Sequence, residues 1–430
     1  MSNSSLASLC SSGNIPSPTL FGAEIISLSS NLVSNYSTYV PETYNYNHPS
    51  INVENVDYCN ITVTYTHLGQ IDKINVEAWL PLEWNERLMA VGGGGLVADR
   101  FVLSYFFMSG AIGQGYAAVT TDAGTSTFPT AGMTEFLLGP GNMDGNAIQN
   151  FGSRASNDES IIAKNLVASF YGRKPKYSYW SAYDGIVASA PAINCSDTGS
   201  RMQISHGAAL VANATWTGPI SADGTRLWYG MEKGAPLDIA NTECSSNGTC
   251  AGMVGNAGEG WLAYRAVKDP SFDSSNLTLD AYSWLMHTSE TEWKSLWSTN
   301  EPDLYAYRNI GGKILTYHGL ADQNIPPKGT RDYYESVAKV LPEVNDFFRV
   351  FEVPGLEHCS GGSGGQPTTI FDQMRAWVEN GTVPETLPIS FTSAKNETYH
   401  RIVCPLPLKT TFNATCGDGT KAECFHCAKE

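Results

Sequence analysis

An aspartate and a histidine in the C-terminal half of the chain each follow an apolar run that predicts a β-strand. Asp322 ends the motif His-Gly-Leu-Ala-Asp, after the run 313–317. His358 stands in the motif Pro-Gly-Leu-Glu-His-Cys, after the run 348–353. Alone, each residue is also compatible with a solvated loop acid or a loop histidine bonded to the backbone. Together they predict an orienting acid, Asp322, and a general base, His358, which takes the proton of a nucleophile.

The order of these two residues along the chain is that of an α/β-hydrolase, in which a serine nucleophile lies upstream on a sharp turn from a strand into a helix. The sequence has no such turn where the fold requires it. Only residues 181–184 separate the predicted strand 176–180 from the predicted strand 185–190. Parallel neighbours need a connection of about a dozen residues or more. We therefore predict that the segment carrying the serine and its helix is absent.

Two other serines imitate the missing nucleophile. Ser363 lies in Gly-Gly-Ser-Gly-Gly, but it follows His358 and no strand leads into it. Ser196 lies in Cys-Ser-Asp-Thr-Gly, but no helix follows it. A nucleophile elbow needs a strand before the serine and a helix after it. We therefore predict that both serines lie in surface loops.

A glycine run follows the predicted strand 87–91 and consists of Gly92, Gly93, Gly94 and Gly95. Glycine has no Cβ, so such a loop lets backbone N–H groups approach a substrate and form part of an oxyanion hole. A flexible turn is the alternative. The aspartate and the histidine farther along the chain favour the oxyanion loop.

The overall composition indicates a globular protein with a large core. The chain has 430 residues, of which 42% are hydrophobic and 16% are charged. Its formal net charge is −16, and no cluster of lysine and arginine stands out, which argues against a nucleic-acid partner. No run approaches the roughly 18 apolar residues that a membrane span requires. We expect a soluble protein without a membrane partner, and the sequence does not predict its oligomeric state.

Cysteines and glycosylation motifs point to an oxidising export route. The chain contains ten cysteines. The Asn-X-Ser/Thr sites are Asn3, Asn35, Asn60, Asn194, Asn213, Asn247, Asn276, Asn380, Asn396 and Asn413. The first residues lack the basic and apolar regions of a signal peptide. We nevertheless expect a secreted, extracellular glycoprotein.

Several cysteines are assigned to disulfide bonds. Cys10 and Cys59 are expected to pin residues 1–60, for which we predict irregular structure. The cysteines assigned to disulfides are Cys10, Cys59, Cys244, Cys250, Cys404 and Cys424. The partners of four others stay open, namely Cys195, Cys359, Cys416 and Cys427. Apart from His426, which is assigned to the cysteine-rich tail, the histidines and acids show no tight metal-ligand spacing, and we predict no metal site.

The remaining pattern predicts a hydrolase core that is interrupted by an insertion. Alternating apolar residues predict a hairpin over 61–80. Four-residue apolar spacing predicts helices at 157–171, with a capping box at 156–159, and at 367–380. The predicted divisions are an N-terminal part of the core at 1–194, a shortened lid at 195–300, a C-terminal part of the core at 301–400 and a disulfide-clipped tail at 401–430.

Several motifs spread through most of the chain share one resemblance. They are Ala-Val-Gly-Gly-Gly-Gly at 90–95, Phe-Tyr-Gly at 170–172 with Tyr-Ser-Tyr at 177–179, Tyr-Asp-Gly-Ile-Val-Ala-Ser-Ala-Pro-Ala at 183–192, Tyr-His-Gly-Leu-Ala-Asp at 317–322 and Pro-Gly-Leu-Glu-His-Cys at 354–359. Together these motifs resemble the tannase and fungal feruloyl esterase family of secreted carboxylic ester hydrolases.

The resemblance implies an α/β-hydrolase fold with an inserted lid domain. It also implies a Ser-Asp-His acyl-enzyme mechanism on small aromatic esters of the feruloyl or galloyl type, such as plant cell-wall or polyphenol esters. In the family the nucleophile segment is Gly-Cys-Ser-X-Gly-Gly, and its cysteine bonds the cysteine after the histidine. This segment, expected between Trp180 and Tyr183, is absent here, which implies an orphaned Cys359. The Asp-rich calcium loop of the family lid has no equivalent either, so no cofactor is expected.

The expected fold is therefore an α/β-hydrolase that lacks its nucleophile-elbow strand-helix segment and part of its lid. We expect a carboxylic ester hydrolase by family, with little or no esterase activity in this chain. Two alternatives stay open. One is a non-catalytic secreted glycoprotein that binds phenolic or carbohydrate ligands, and the other is a mis-spliced product.

Overall fold

The chain forms two compact units, Met1–Ile186 and Val187–Glu430, and each is described on its own. The structure is a computed structural model. It describes residues 8–95, 97–98, 100–125, 136–180, 184–191, 208–237, 242–247, 250–252, 256–274 and 277–429. Within these residues, no helix has the length and apolar character needed to cross a membrane. The predicted divisions at 1–194, 195–300, 301–400 and 401–430 stay predictions.

The first unit is built on a mixed sheet with helices packed against it. Its strands are β1 (Ala23–Val40), β2 (Ile51–His67), β3 (Ile74–Pro81), β4 (Arg87–Ala90), β5 (Ala117–Thr121), β6 (Leu137–Gly139), β7 (Asn142–Met143), β8 (Tyr177–Tyr179) and β9 (Gly185–Ser189), the last of which crosses the unit boundary. Strands β1, β2, β3 and β5 are antiparallel neighbours. Strand β4 runs parallel to both β5 and β8. The predicted hairpin is confirmed as β2 and β3.

The helices of the first unit cover the apolar face of this sheet. They are α1 (Val102–Gly113), α2 (Gly145–Gln149) and α3 (Ala155–Tyr171), with a 3-10 turn at Glu42–Tyr44 and a π turn at Asn150–Arg154. Three residues of α3 at four-residue spacing, Ile162, Leu166 and Phe170, are buried in the same core cluster as β2. The helix predicted at 157–171 is therefore confirmed, and it ends at Gly172, whose φ of 70° is the left-handed conformation that glycine favours.

The capping box predicted at 156–159 is wrong. The chain is already helical before Ser156, because α2, the π turn and α3 follow one another without a break. The cap is Asp144, whose side chain accepts hydrogen bonds from the N–H groups of Asn146 and Ala147. Ser156 therefore lies inside a continuous helical stretch, where its side chain cannot cap a helix start.

The prediction of irregular structure over residues 1–60 is also wrong. Strand β1 pairs with β2 along most of its length, from Ala23 opposite His67 to Val40 opposite Ile51. It is an edge strand whose exposed positions are mostly polar, Ile26 and Tyr39 excepted, so its serines and asparagines imitate a loop. Its inward positions, Leu28 and Leu32 among them, pack against the core.

The segment before β1 is pinned by the predicted disulfide. Cys10 and Cys59 are bonded to each other, and both are buried. The hydroxyl of Ser30 on β1 donates a hydrogen bond to the carbonyl of Cys10. The N-terminal segment is therefore tied to the sheet by a covalent bond and by a polar contact.

The second unit contains the C-terminal strands and most of the helices. Its strands are β10 (Thr242–Cys244), β11 (Cys250–Gly252), β12 (Lys313–Gly319), β13 (Phe348–Val353), β14 (Leu387–Thr392), β15 (Thr398–Val403), β16 (Lys409–Phe412) and β17 (Phe425–Ala428). Its α-helices are α4 (Ala208–Thr217), α5 (Asn256–Trp261), α6 (Leu279–Trp297), α7 (Tyr305–Asn309), α8 (Pro327–Val340) and α9 (Ile370–Asn380). A π turn at Leu262–Val267 and 3-10 turns at Val344–Asp346, Ala414–Cys416 and Ala422–Cys424 complete the list.

Strands β12 and β13 position the two predicted catalytic loops. They are parallel, with Tyr317 opposite Phe351 and Gly319 opposite Val353, and α8 crosses between them. Their central side chains are fully buried, as expected for a parallel strand covered on both faces. The carboxyl ends of parallel strands lie at the same edge of the sheet, so the loops that follow them are neighbours.

The C-terminal tail is clipped by two disulfides. Cys404 bonds Cys427, and Cys424 bonds Cys416. The bonds join the end of β15 to β17 and the two short 3-10 turns to each other. Cys244 and Cys250 face one another as partners in the β10–β11 ladder, but their side chains lie outside the described part of the structure.

A buried acidic cluster in the first unit holds a histidine between two carboxylates. Nδ1 of His67 lies 2.5 Å from Oδ2 of Asp72, and its Nε2 lies 3.0 Å from Oδ2 of Asp158. The hydroxyl of Tyr65 donates to Asp158 across 3.1 Å. The cluster joins β2, the turn after it and α3, so it couples the sheet to the helix.

We predict that His67→Ala lowers the free energy of unfolding by about 3 to 5 kcal/mol, because two acidic groups would face each other without the histidine between them. Urea denaturation measures the change. The matched control is His400→Ala, since His400 is exposed and its imidazole contacts the hydroxyl of Ser390. The control should change the free energy by about 0.5 kcal/mol or less. Equal effects of the two variants would contradict a structural role for the cluster.

Candidate active site

The loop after β12 carries Asp322 and is held against the loop after β13. A Cβ on Gly319 would lie 2.1 Å from the carbonyl oxygen of Leu356, so only glycine fits at this strand end. The N–H of Ala321 donates to the same carbonyl across 2.9 Å, and the N–H of Leu320 donates to Val353 across 2.9 Å. The glycine of the His-Gly-Leu-Ala-Asp motif therefore brings the two loops into direct contact.

The carboxylate of Asp322 is fully buried and accepts four hydrogen bonds. Oδ1 accepts from the N–H groups of Asn324 and Ile325, each across 2.7 Å. Oδ2 lies 3.2 Å from Nε2 of His318 and 3.0 Å from Nδ1 of His358. Burial works to raise the pKa of this carboxyl, but the hydrogen bonds from His318 and His358 outweigh burial and hold the pKa well below its usual value. Asp322 is therefore ionised at neutral pH.

His318 is a second, fully buried partner of Asp322 that the sequence analysis did not single out. Its Nε2 lies 3.2 Å from Asp322 Oδ2 and 3.1 Å from the carbonyl oxygen of Ile325, and both of these atoms can only accept. Nε2 therefore carries the proton, and Nδ1, 2.8 Å from Oγ1 of Thr330, accepts from that hydroxyl when the ring is neutral. The available signal was the four-residue spacing of His318 and Asp322 around Gly319.

His358 is partly exposed and is oriented by Asp322. With Nδ1 on the carboxylate, its Nε2 is the atom turned toward a reacting group. The backbone N–H of His358 donates to Oε1 of Gln323 across 3.2 Å. Burial works to lower the pKa of His358, but Asp322 and Cys359 raise it to about 10. The structure therefore brings the two predicted catalytic residues together in the arrangement of an orienting acid and a base.

Cys359, directly after His358, is a free thiol among the cysteine side chains that the structure describes. Its Sγ lies 3.9 Å from Nε2 of His358 and 3.8 Å from the carbonyl oxygen of Ser189. Its φ of 61° is in the left-handed region, which is strained for a residue with a side chain. Its carbonyl accepts from the hydroxyl of Tyr317 across 3.2 Å and from Nε2 of Gln366 across 3.1 Å. These two donors hold the strained backbone in place.

Ser363 lies in a glycine-rich loop whose composition has a steric cause. A Cβ on Gly362 would lie 2.3 Å from the carbonyl oxygen of Gly355, and one on Gly364 would lie 2.2 Å from that of Pro354. The N–H of Gly364 donates to Gly355 across 2.8 Å. The glycines therefore allow this loop to lie against the loop that carries His358, and Ser363 is exposed as predicted. The second serine, Ser196, lies outside the described residues together with Cys195.

The glycine run Gly92–Gly95 lies in the first unit, directly beyond β4. A Cβ on Gly92 would lie 2.4 Å from the indole ring of Trp180, and one on Gly93 would lie 1.8 Å from the carbonyl oxygen of Ala98. These two positions therefore require glycine because of close contacts within the first unit. The oxyanion role of the run stays a prediction.

The junction of β8 and β9 is short and strained. The two strands are parallel neighbours through one pair of residues, Tyr179 and Gly185. Trp180 has a φ of 105°, which is unfavourable for an aromatic residue, and its N–H donates to Gly185 across 2.7 Å. The carboxylate of Asp184 accepts from the N–H and the hydroxyl of Ser178. The stretch 181–183 lies outside the described residues, and the absence of a nucleophile segment here stays a prediction.

The sequence predicts no metal site, and this stays a prediction. Within the ranges given above, no group of three or more histidine, cysteine, aspartate or glutamate residues is placed to hold a metal ion.

We predict that His358 stays protonated at pH 7.5 and titrates well above the ordinary histidine pKa of about 6.5. Asp322→Asn should bring its pKa back toward that value, because it removes the carboxylate that stabilises the imidazolium. Glu357→Gln is the matched control, since it removes a neighbouring carboxylate that does not hold the ring. Histidine NMR titration measures the pKa. Equal shifts in the two variants would contradict the geometry.

The same pKa shift predicts a pH dependence of stability. A histidine whose pKa is raised on folding stabilises the folded protein fully below about pH 6.5, and this contribution is lost as the pH rises toward about 10. Urea denaturation between these pH values should show stability falling with pH, and the slope should be smaller in Asp322→Asn. An identical slope in both proteins would contradict the assignment.

Known proteins resemble this chain in both sequence and structure. The family model described as Tannase and feruloyl esterase matches residues 59–220 and 194–428. "Probable feruloyl esterase" from Arthroderma benhamiae is 28% identical over 471 aligned positions, which cover 87% of this chain and 86% of the relative. "Probable feruloyl esterase B-2" from Aspergillus oryzae is 24% identical and is aligned over 92% of this chain and 93% of its own length.

Solved structures share the fold along nearly the whole chain. Tannin acyl hydrolase from Aspergillus niger superposes with a TM-score of 0.84 at 23% identity, covering 99% of this chain and 96% of that protein. Feruloyl esterase B from Aspergillus oryzae superposes with a TM-score of 0.74 at 19% identity, covering 95% of this chain and 97% of that protein. The predicted α/β-hydrolase fold is confirmed. Because the family model matches most of its length, the chain belongs to the tannase and feruloyl esterase family of carboxylic ester hydrolases.

Proposed function

We propose that this chain keeps the acid and base of an aromatic-ester hydrolase but lacks the serine nucleophile, so that it hydrolyses its esters slowly or not at all. One observation carries the proposal. Asp322 orients His358 through a bond of 3.0 Å, yet among the described residues no serine hydroxyl is bonded to Nε2 of that ring, and the group beside it is the sulfur of Cys359.

The length of the chain supports the loss of a segment. The alignment with the Arthroderma benhamiae relative runs over 471 positions, more than the 430 residues of this chain, so the relative contains segments without a counterpart here. The five residues between Tyr179 and Gly185 leave no room for an elbow and its helix. We infer that the serine segment is among the segments that this chain lacks.

The chemical consequence follows from the roles in the triad. In an intact enzyme of this type, His358 would take the serine proton, and Asp322 would stabilise the imidazolium that forms. The serine oxygen would attack the ester carbonyl, and His358 would return the proton to the leaving alcohol. Without an attacking oxygen, oxyanion donors and substrate contacts retain only a small part of the rate gain. We propose that the chain can still bind the ester.

The proposed ligands are small aromatic esters of the feruloyl or galloyl type. The names of the relatives support this class, since they are feruloyl esterases and a tannin acyl hydrolase. These names state the kind of ester on which the relatives act, and we propose the same class of ester for this chain. Plant cell-wall or polyphenol esters are the proposed source.

We further propose that the protein is secreted and glycosylated. Its disulfides support this, because such bonds persist in oxidising compartments. Exposed asparagines stand at several glycosylation motifs, namely Asn35, Asn213, Asn247, Asn380, Asn396 and Asn413. At Asn60, by contrast, Nδ2 donates to Glu77 across 3.1 Å inside the fold, so we propose that this site carries no glycan.

The test is a rate measurement on methyl ferulate and methyl gallate. We predict a kcat/KM roughly 10⁴-fold or more below that of a relative with an intact serine segment. Saturable binding of the same esters, measured by calorimetry, should remain. Clear turnover that is abolished by His358→Ala but retained by Cys359→Ala would contradict the proposal, because it would require an oxygen nucleophile elsewhere in the chain.

A further inference from the structure

The sulfur of Cys359 is the nucleophilic atom nearest to the candidate base in the described part of the chain. Sγ stands 3.9 Å from Nε2 of His358, and Nδ1 of the same ring is held 3.0 Å from Asp322. This is the order of nucleophile, base and orienting acid that activates a cysteine. Sulfur contacts are longer than oxygen contacts, so 3.9 Å is a contact between the two groups.

The backbone at Cys359 is strained and is held by two hydrogen bonds. Its left-handed φ of 61° is unfavourable for a residue with a side chain, and strain of this kind clusters at functional sites. Tyr317, which is fully buried, and Gln366 both donate to the carbonyl of Cys359. The side chain itself is partly exposed, so a ligand can reach it.

A positive charge stands beside the sulfur. The pKa of His358, raised to about 10, places an imidazolium next to Sγ at neutral pH, with Nε2 3.9 Å from the sulfur. A structural alternative is a thiol that only donates to the carbonyl of Ser189. That contact is 3.8 Å long, and it leaves the sulfur exposed on its other side, so it does not prevent attack on a ligand.

We propose that Cys359 accepts acyl groups from activated aromatic esters and forms a thioester with them. The inference rests on the proposed function, because it places the ester carbonyl beside His358. The thiolate sulfur attacks the carbonyl carbon, the new C–S bond forms, and the C–O bond to the leaving group breaks. An aryl oxide leaves as the anion, whereas an alkoxide takes the proton from Nε2 of His358. Water later attacks the thioester, and the thiolate departs. After an aryl oxide has left, His358 still carries its proton, so the proton of the water passes to solvent; after an alkoxide has taken that proton, Nε2 of His358 accepts it.

Esters with good leaving groups should reveal this step best. An aryl oxide needs no proton to depart, whereas an alkyl leaving group depends on an acid and on stabilisation of the tetrahedral intermediate. We therefore expect stoichiometric capture of an activated ester without rapid turnover of a methyl ester. This separates the reaction of Cys359 from the serine chemistry of the family.

The experiment treats the full chain, without reductant, with 4-nitrophenyl ferulate. The expected result is one equivalent of released nitrophenolate and one feruloyl group per chain, located on Cys359 by peptide mass spectrometry and released by neutral hydroxylamine. Cys359→Ala should carry no such group. His358→Ala should slow the release of nitrophenolate by roughly 10²-fold or more, because it removes the imidazole that contacts the attacking sulfur. Ser363→Ala, a nearby exposed hydroxyl, is the matched control and should behave as the unchanged chain does.

A second measurement on the unchanged chain guards against misfolded variants. Iodoacetamide should label Cys359 and then block acylation. The proposal is overturned if Cys359 carries no acyl group, if the group sits on another residue, or if Cys359 is found in a disulfide. Such a result leaves the missing-serine proposal intact as long as methyl ferulate is not hydrolysed. Steady hydrolysis of methyl ferulate by Cys359→Ala would instead contradict the missing serine alone.

Discussion

The buried carboxylate of Asp322 is the constraint on which the candidate site depends. A charge removed from water is costly unless donors surround it, and here two backbone N–H groups and two imidazoles do so. Those donors come from the loop after β12, from β12 itself and from the loop after β13. The three elements must therefore keep their positions for Asp322 to stay ionised. His318 is fully buried, and its Nε2 supports the acid that orients His358.

Much of this arrangement could be predicted from the sequence. Apolar runs mark β12 and β13, and the rule that parallel strands end at one edge places Asp322 near His358. The same reasoning identified α3 and the hairpin of β2 and β3, because their apolar periods are clear. Buried elements carry a strong pattern, since most of their inward positions are apolar.

The remainder depends on information that a pattern does not contain. Strand β1 was missed because an edge strand faces solvent, so its serines and asparagines look like those of a loop. The helical start was misplaced because Ser156 follows an uninterrupted helical stretch. Glycine runs are ambiguous in the same way. The run around Ser363 imitates a nucleophile motif, but its glycines have a steric cause. A Cβ on Gly362 would lie 2.3 Å from the carbonyl oxygen of Gly355 in the neighbouring loop. The strained φ of Cys359 is likewise a feature that no spacing reveals.

We propose a family member whose acid and base, Asp322 and His358, are assembled and whose serine nucleophile is missing. The most direct measurement is the hydrolysis of methyl ferulate after the Gly-Cys-Ser-X-Gly-Gly segment of a relative, with its helix, is inserted behind Trp180. An intact acid and base predict that the insertion raises kcat/KM by roughly 10⁴-fold or more, and that His358→Ala abolishes the gain. A folded insertion variant that is no faster than the original chain would contradict the account.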